Sequence, residues 1–354
     1  MERITINEKQ PDKESIKKAA GMISKGKVVA MPTETVYGLA VRADKEEAVE
    51  KLYSLKERPL DKPFSVALAD IDKATQQYFL PLIPFGYRLI EKFWPGPLTI
   101  VYYKRPEGKI GIRIPSNFIA NSVLRILGSA VFFPSANRSG QSEATSADQV
   151  EEIFGNQIDL IIDGGRAYHK ESSTVIDLTY KPFKILREGV VSEKQIASTF
   201  IKRRILFVCT GNSCRSPMAE YFLRKYLQEK KRVALQRYEV ISAGIAAPEG
   251  MHPPEYAQKV TEDQDGIDIS GSRAKQLTKQ MVLSSDYIFT MEDFQTDFIL
   301  KNYPIVQNRV FNLKKFLSFG EAIDIPDPIG RSFIFYENVY DVIKKAILEL
   351  VDWL

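Results

Sequence analysis

The first 200 residues alternate between short apolar runs and segments in which apolar positions recur with helical spacing. Asp12–Lys25 carries four apolar residues at this spacing, which predicts an amphipathic helix. Further helices are predicted over Asp44–Glu57, where Asp44 would cap the first turn and face Glu47, and over Ser192–Thr199. Short apolar runs between polar or turn residues predict strands. These strands are Lys27–Met31, Phe64–Leu68, Leu98–Tyr103, Ile110–Ile114, Ala130–Phe133, Leu160–Ile162, Thr174–Leu178 and Phe183–Leu186.

From residue 205 onwards, strand-like and helix-like segments alternate regularly. The predicted strands are Ile205–Val208, Tyr238–Ser242, Tyr287–Thr290 and Arg309–Asn312. The predicted helices are Pro217–Glu229, Glu255–Gln264, Ala274–Val282, Asp293–Lys301 and Phe335–Leu354. This alternation predicts a small, doubly wound parallel sheet that binds its ligand at the carboxyl ends of the strands. The basic triplet Lys202-Arg203-Arg204 precedes this α/β unit, so we divide the chain into domains 1–200 and 201–354.

Composition narrows the class of protein. The chain has 354 residues, of which 44% are hydrophobic and 27% charged, and a net charge of +4, as expected for a globular protein of two domains. No apolar run approaches the roughly 20 residues that span a bilayer, and the N-terminus lacks the apolar core of a signal peptide. The two cysteines and two histidines exclude a disulfide framework and a histidine-rich zinc site. We therefore expect a cytoplasmic protein without membrane contact.

The most informative segment is Ile205–Pro217, Ile-Leu-Phe-Val-Cys-Thr-Gly-Asn-Ser-Cys-Arg-Ser-Pro. It places Cys209 at the end of a predicted strand and Arg215 just before a predicted helix. A loop in this position directs backbone N–H groups towards an anion such as phosphate, and the same positive potential favours the thiolate form of Cys209. An isolated pair of this spacing also fits a buried cysteine and an ordinary helix start. The strand, loop and helix context favours a phosphate-binding loop with a cysteine nucleophile.

This segment resembles the signature of low-molecular-weight protein tyrosine phosphatases. The resemblance spans about residues 204–354 and rests on Val208–Glu220, Ser242-Ala243-Gly244, Gly266-Ile267-Asp268-Ile269-Ser270 and Asp327-Pro328. It implies Cys209 as the nucleophile that forms a phosphocysteine, Arg215 as the transition-state ligand and Asp327 as the general acid. The residues implied to support the phosphate loop are Asn212, Ser213, Cys214 and Ser216. The resemblance also implies that Cys214 can form a protective disulfide with Cys209.

Two departures from this family concern the substrate. Ile329-Gly330 stands where many eukaryotic members carry paired tyrosines, and Ser213 stands where phosphotyrosine enzymes often carry a bulky aliphatic residue. A small polar residue there resembles the branch that hydrolyses phosphoarginine on proteins, so both substrates stay open. The arsenate reductase branch is excluded because it uses downstream cysteines, and no cysteine follows Cys214.

Three segments of the first domain carry polar residues at the ends of predicted elements. They are the hydroxyl-rich Pro32–Leu39, the sequence Lys56-Glu57-Arg58-Pro59, and Pro134–Gly140. Each segment alone has an ordinary explanation as a helix cap, a helix C-terminus with two cations, or a loop. Together they indicate a binding site for a polar ligand.

These segments resemble the YrdC/Sua5 family of threonylcarbamoyl-AMP synthases over about residues 10–190. The Lys-x-Arg and Ser-x-Asn pairs of that family are intact, as are Arg113-Ile114-Pro115, Ser173-Thr174-Val175 and Leu186-Arg187-Glu188-Gly189. The resemblance implies an open twisted α/β sheet with a large, positively lined cavity. The implied threonine ligands are Thr33, Arg113, Ser135 and Ser173, and the implied ATP ligands are Lys56, Arg58, Asn137, Thr145 and Arg187. The chain departs from the family at Glu143-Ala144-Thr145, where many members carry Ser-Pro-Thr.

The implied reaction joins L-threonine, bicarbonate and ATP into threonylcarbamoyl-adenylate, releases pyrophosphate and feeds the t6A modification of tRNA. Four cations of the site can share the negative charge of these substrates, with Mg²⁺ on ATP, no metal ligand from the protein and no organic cofactor. The sequence therefore predicts a bifunctional enzyme. Its further partners would be a phosphorylated protein, t6A-transfer proteins and, indirectly, tRNA. The alternative is that the first domain is an RNA-binding or regulatory module and that only the phosphatase domain is active. The basic residues are scattered along the sequence, which disfavours RNA binding.

Overall fold

A computed structural model gives the fold of residues 1–7, 11–230, 237–317 and 324–354. Within these ranges the chain divides into two units, Met1–Leu82 with Arg88–Ala197 and Ile83–Tyr87 with Ser198–Leu354. Each unit has its own sheet and its own hydrophobic core. None of the helices in these ranges combines the length and the apolar character that crossing a bilayer requires.

The first unit is built on a mixed sheet. Its strands are β1 (Glu2–Thr5), β2 (Val29–Pro32), β3 (Tyr37–Arg42), β4 (Val66–Ala67), β5 (Leu98–Tyr103), β6 (Lys109–Arg113), β7 (Val131–Phe132), β8 (Leu160–Asp163), β9 (Thr174–Asp177) and β10 (Lys184–Arg187). They lie in the order β1-β8-β2-β3-β7-β4-β6-β5-β9-β10 and include parallel and antiparallel pairs. The expected open α/β sheet is confirmed.

Seven helices lie between residues 11 and 202. They are α1 (Lys13–Ser24), α2 (Glu46–Lys56), α3 (Ile71–Lys73), α4 (Pro84–Phe93), α5 (Phe118–Leu127), α6 (Ala147–Phe154) and α7 (Glu193–Ile201), with a π-helical turn at Ala74–Tyr78 and a 3-10 turn at Gly155–Gln157. The four apolar residues of α1 are buried in the core against β2 and β8, as their spacing predicts.

The start of α2 corrects one prediction. Asp44 does not cap this helix, which begins at Glu46 after Lys45 and has no side-chain capping bond. Asp44 instead accepts a hydrogen bond from Arg42 Nε at 2.8 Å, because the guanidinium at the end of β3 lies within reach of its carboxylate. The sequence reading also missed β3, whose positions are buried up to Val41 and therefore show no alternation of polar and apolar residues.

The second unit has a four-stranded parallel sheet. Its strands β11 (Arg203–Cys209), β12 (Tyr238–Gly244), β13 (Tyr287–Thr290) and β14 (Val310–Asn312) lie in the order β12-β11-β13-β14. Its described helices are α8 (Arg215–Lys230), α9 (Glu255–Asp265), α10 (Lys279–Ser284), α11 (Asp293–Asn302) and α12 (Phe333–Trp353), with 3-10 turns at Pro304–Arg309 and Leu313–Phe316. The expected doubly wound parallel fold is confirmed.

The register of this parallel sheet places the site. Cys209 is the last residue of the central strand β11 and pairs with Gly244, the last residue of β12. Both therefore lie at the carboxyl edge of the sheet, where such folds bind ligands. One predicted helix is shorter than expected: Ala274–Val282 becomes helical only at Lys279, because the Thr278 side chain accepts the Met281 N–H and caps the helix there.

Candidate active sites

Loop 210–214 joins β11 to α8 and surrounds the thiol of Cys209. The Cys209 sulfur accepts the backbone N–H of Asn212 at 3.2 Å and lies 3.0 Å from Ser216 Oγ. Asn212 has a φ of 49°, in the left-handed region, and this turns its N–H towards the sulfur. The thiol therefore lies beside a backbone N–H donor and a hydroxyl at the start of a helix.

The side chain of Asn212 fixes this loop. Its Nδ2 donates to Ser216 Oγ at 2.9 Å and to Ser242 Oγ at 2.8 Å, and its Oδ1 accepts the Lys275 N–H at 2.8 Å. Since Ser216 Oγ already accepts from Asn212, its own hydrogen can be donated to the Cys209 sulfur. Asn212 thus holds the hydroxyl of Ser216 between the Cys209 sulfur and the Ala243 carbonyl, which lie 3.0 and 3.5 Å from Ser216 Oγ.

A buried glutamate anchors the far end of this chain of hydrogen bonds. Ser242 Oγ donates to Glu220 Oε2 at 2.5 Å, and Arg224 Nη2 lies 2.6 Å from the other carboxylate oxygen. Burial raises the pKa of the Glu220 carboxyl. The sequence analysis quoted Glu220 and Ser242 only as parts of motifs; their connection across 22 residues becomes visible only when α8 packs beside β12.

Arg215 is held beneath the loop by two carboxylates. Its Nη1 donates to Glu292 Oε2 at 2.6 Å and to the Ile325 carbonyl at 2.8 Å, and its Nη2 donates to Asp327 Oδ2 at 2.5 Å. The Arg215 side chain is 1% exposed, whereas that of Asp327 is 42% exposed. Of the three residues predicted to be catalytic, the structure brings Arg215 and Asp327 into contact, with Asp327 accessible to a substrate. Cys209 lies at the other end of the loop that leads to Arg215.

Glu292 is a site residue that the sequence analysis missed. It follows β13 by two positions, so it lies at the same carboxyl edge of the sheet as Cys209. Gln295 Nε2 donates to Glu292 Oε2 at 2.8 Å and to Thr210 Oγ1 at 3.2 Å, which links this acid to the phosphate loop. The sequence feature that could have indicated Glu292 is its position as an acidic residue directly after a buried strand.

Cys214 is a second, chemically different thiol. Its sulfur lies 3.6 Å from Ser213 Oγ and 3.8 Å from the Tyr336 hydroxyl, and both cysteines are free. Burial raises the pKa of Cys214 to about 11. Cys214 is therefore protonated near neutral pH, and the disulfide with Cys209 stays a prediction. Ser213 is buried in the loop, with its hydroxyl turned to Cys214.

The first unit contains a cavity of about 800 Å³. Seven of the nine residues predicted to bind threonine or ATP line it, namely Thr33, Lys56, Arg58, Arg113, Ser135, Ser173 and Arg187. Asn137 and Thr145 are not among the lining residues. Asn137 contacts Lys56, and Thr145 donates from its backbone nitrogen to Gln149 Oε1 at 2.7 Å, at the start of α6.

Lys56 is buried and fully hydrogen-bonded. Its ammonium donates to the Ser135 and Asn137 carbonyls, each at 2.6 Å, and to Asn137 Oδ1 at 2.9 Å. Burial, and secondarily the charge of Arg58, lowers the pKa of Lys56 to about 8. Because all three of its N–H donors are used, Lys56 fixes the Ser135–Asn137 loop and contributes charge to the cavity wall without an unused donor.

The three arginines of the cavity share one mode of attachment. Arg58 donates to the Lys62 and Pro63 carbonyls, Arg113 to the Gly96 carbonyl, Glu34 and Thr35, and Arg187 to Ser173. In each arginine Nε and Nη2 make these bonds. Within the described ranges, Nη1 of each makes no hydrogen bond to protein. Each guanidinium is thus fixed along one edge, which leaves Nη1 to face an anion. At Arg187 the carboxylate of Glu143 already lies 3.7 Å from this atom.

The hydroxyl groups of the cavity are also fixed. Thr33 Oγ1 accepts the Val36 N–H at 3.2 Å and donates to the Val36 carbonyl at 2.6 Å, which closes the turn between β2 and β3. Ser173 Oγ lies 3.0 Å from Thr99 Oγ1, and Ser135 Oγ donates to Asn137 Oδ1 at 2.7 Å. The cavity therefore combines fixed hydroxyls with fixed cations.

Glu34 is a further residue that the sequence analysis did not single out. Its carboxylate accepts from Arg113 Nη2 at 2.7 Å and from the backbone N–H groups of Ser116 and Asn117 at 3.1 and 3.3 Å. It positions Arg113 in the cavity wall. The sequence feature that could have indicated Glu34 as a site residue is its position in the hydroxyl-rich segment after β2.

Comparison with known proteins agrees with both halves of this description. A model of the Sua5/YciO/YrdC family, described as "Telomere recombination", matches residues 21–189. A model of low molecular weight phosphotyrosine protein phosphatases matches residues 204–354. The chain belongs to both families. Both expected family memberships are thus confirmed, that of the Sua5/YrdC domain and that of the phosphatase-family domain.

The P. abyssi relatives support the assignment of the Sua5/YrdC domain. The threonylcarbamoyl-AMP synthase of Pyrococcus abyssi is 37% identical over 221 residues, which cover 59% of this chain and 64% of that protein. The crystal structure of P. abyssi Sua5 complexed with L-threonine aligns with a TM-score of 0.54 and 25% identity, over 69% of this chain and 92% of that one. The YwlE arginine phosphatase from Geobacillus stearothermophilus is 34% identical, with a TM-score of 0.38, over 43% of this chain and 92% of that one. The match to the P. abyssi synthase thus spans less than two thirds of that relative.

Proposed function

We propose that the Sua5/YrdC domain synthesises threonylcarbamoyl-AMP from L-threonine, bicarbonate and ATP. The observation that carries this proposal is the cavity in which Arg58, Arg113 and Arg187 each present an Nη1 that makes no hydrogen bond to the described residues. Three fixed cations beside fixed hydroxyls suit a set of substrates that brings a carboxylate, a bicarbonate and a triphosphate. The structure of a relative with bound L-threonine supports threonine as one substrate.

In the proposed reaction the protein acts by positioning. The threonine nitrogen forms a bond to the bicarbonate carbon and water leaves; a carbamate oxygen then attacks the α-phosphorus of ATP and displaces pyrophosphate. Arg113, fixed by Glu34, would hold the threonine carboxylate, and Arg58 and Arg187 would hold phosphate oxygens. The cavity wall is rich in cations, so Mg²⁺ would be held by the phosphates of ATP and would shield their charge. Holding the reactants in contact supplies much of the rate.

Pyrophosphate release by the purified full chain tests this proposal. With bicarbonate, ATP and Mg²⁺ present, release should require L-threonine. Arg113→Gln should raise the KM for threonine by about 10- to 100-fold, the value of a charge-assisted hydrogen bond, and Arg58→Gln should act on ATP instead. Cys209→Ser serves as the matched control, since it changes the other domain and should leave release unaltered. Release that does not depend on threonine would refute the proposal.

We propose that the phosphatase-family domain hydrolyses a phosphorylated side chain through a phosphocysteine. The thiolate of Cys209 would attack phosphorus while the bond from phosphorus to the leaving atom breaks, and Asp327 would give that atom a proton. Water would then attack the phosphocysteine, with Asp327 taking a proton and Cys209 leaving as thiolate. The supporting observation is the ion pair of Arg215 Nη2 with Asp327 at 2.5 Å: phosphate oxygens can replace this carboxylate on Arg215 and free it for proton transfer.

We propose phosphoarginine rather than phosphotyrosine as the substrate of this site. Two segments flank the loop: residues 245–248, whose Ile245 and Ala246 N–H groups bond the Cys209 and Thr210 carbonyls, and residues 328–331, which follow Asp327. Their sequences, Ile-Ala-Ala-Pro and Pro-Ile-Gly-Arg, contain no aromatic residue to stack on a phosphotyrosine ring. The exposed Asp327 carboxylate, in contrast, suits a cationic guanidinium.

A side-by-side assay of phosphoarginine and phosphotyrosine peptides separates the two substrates. The full chain should show the higher kcat/KM for phosphoarginine, and Cys209→Ser should abolish turnover of both peptides. Ser213→Ile should move the ratio towards phosphotyrosine. A preference for phosphotyrosine in the native chain would overturn the substrate assignment, and a Cys209→Ser protein that still turns over would overturn the mechanism.

A further inference from the structure

Glu143 places a carboxylate beside Arg187, one of the cations that line the cavity. It lies in the segment Glu143-Ala144-Thr145, where many Sua5/YrdC members carry Ser-Pro-Thr. Ser172 Oγ donates to Glu143 Oε1, and Arg187 Nη1 lies 3.7 Å from the same oxygen. Its charge also reaches Lys56, where it opposes the effect of burial on the pKa.

This carboxylate lies beside Nη1, the guanidinium nitrogen of Arg187 that makes no hydrogen bond to the described residues. Arg187 Nε and Nη2 donate to the Ser173 carbonyl at 3.1 and 2.9 Å, and Nη2 also reaches Ser173 Oγ at 3.2 Å. Within the described ranges, Nη1 has only the ion pair with Glu143, which is too long for a hydrogen bond. A phosphate that binds Arg187 must therefore approach Nη1, the atom beside which Glu143 carries its negative charge.

We propose that Glu143 weakens nucleotide binding and must be displaced or screened when ATP phosphates reach Arg187. This inference rests on the proposed synthase function. In the free protein the carboxylate of Glu143 lies near Arg187 Nη1, where a phosphate would bind, and offsets part of the positive charge of Arg187. When ATP binds, the like charges of the carboxylate and the phosphate repel, so Arg187 has to exchange one anion for the other. Members with serine at this position would lack that cost.

The pair is only partly buried, which sets the size of the effect. The Arg187 side chain is 45% exposed and that of Glu143 is 25% exposed, so solvent screens their interaction. Ion pairs of this exposure typically correspond to a change of about two- to fivefold in an equilibrium constant. We therefore expect Glu143→Gln to tighten ATP binding by about two- to fivefold. Glutamine keeps the shape of the side chain and an oxygen that can accept from Ser172.

Calorimetric titration of the full chain with Mg-ATP, without threonine, measures this effect directly. Glu143→Gln should lower the Kd, and the change should shrink at high salt. The matched control is Glu152→Gln, an exposed acid on α6, which should leave the Kd unchanged. In an Arg187→Gln background, Glu143→Gln should give a smaller gain, since the two residues act on one contact.

The outcomes separate this inference from the function on which it rests. An unchanged or raised Kd in Glu143→Gln, together with threonine-dependent synthesis, would overturn this inference alone; a raised Kd would mean that Glu143 helps to hold ATP or its metal ion. No ATP binding by either protein would overturn both. Tighter ATP binding without any threonine-dependent product would support the role of Glu143 and refute the synthase reaction.

Discussion

Gly244 carries a sharp prediction about the phosphate loop. It pairs with Cys209 across β11 and β12. A Cβ at this position would lie 2.5 Å from the Thr210 carbonyl oxygen, 2.8 Å from the Asn212 nitrogen and 2.9 Å from the Gly211 carbonyl carbon. All three atoms are backbone atoms of the loop, so none can rotate away as a side chain would. Gly244→Ala must therefore displace the loop itself.

The size of the displacement follows from these distances. Ordinary contacts begin at 3.4 Å, so the Thr210 carbonyl would have to retreat by about 0.9 Å from its present 2.5 Å. A misplacement of roughly 1 Å in a catalytic array costs about 100-fold in rate. We expect kcat/KM for p-nitrophenyl phosphate to fall by about 10- to 100-fold, and the free energy of unfolding of this domain to fall by about 1–3 kcal/mol.

A steady-state assay with p-nitrophenyl phosphate, accompanied by urea unfolding, checks both values. Gly271→Ala is the matched control, because a Cβ there meets nothing within 4 Å and should change neither quantity. Activity of Gly244→Ala within twofold of the native chain would refute the reasoning. It would show that the loop can move by this amount without losing its alignment around the Cys209 sulfur.

Three further predictions concern single groups. Lys56 loses its positive charge as the pH rises through its pKa of about 8, so ATP affinity should fall above pH 8 by up to about tenfold per pH unit. Calorimetry should show this fall in affinity in the native chain and not in Lys56→Gln. Because Cys214 has a pKa of about 11, iodoacetamide at neutral pH should label Cys209 alone, and inorganic phosphate should protect Cys209 from labelling. A peptide map that shows labelled Cys214 would contradict this expectation. Asp327→Asn should slow hydrolysis of phenyl phosphate by about 100-fold or more but that of p-nitrophenyl phosphate far less, because nitrophenolate leaves without a proton; equal losses would argue against Asp327 as the acid.

The sequence predicted best what is local along the chain. Cys209 and Arg215 lie on one strand–loop–helix connection, and this context together with their spacing indicated that both belong to one site. The apolar spacing of α1 and the alternation of β and α elements after residue 205 likewise predicted buried faces and a parallel sheet. The observed ends of these elements differ from the predicted ends by a few residues, because packing decides where each element stops.

The residues that the sequence did not reveal act over long separations. Glu292 reaches Arg215 across 77 residues, and Glu34 reaches Arg113 across 79. An isolated acid carries no pattern from which such a partner can be inferred. The error at Asp44 has a different, local cause: its carboxylate accepts a hydrogen bond from Arg42, two residues away, and does not cap the helix. Lys56 shows the converse: its motif was identified, but only the structure shows that its three donors all bind protein.

The central claim is that the Sua5/YrdC domain of this chain makes threonylcarbamoyl-AMP. The most direct test incubates the purified full chain with L-threonine, ATP, Mg²⁺ and ¹³C-labelled bicarbonate and analyses the nucleotides by mass spectrometry. The account predicts an adenylate that carries threonine and the ¹³C label, formed together with pyrophosphate and lost when threonine is omitted. ATP consumption without a labelled threonine adduct would contradict it.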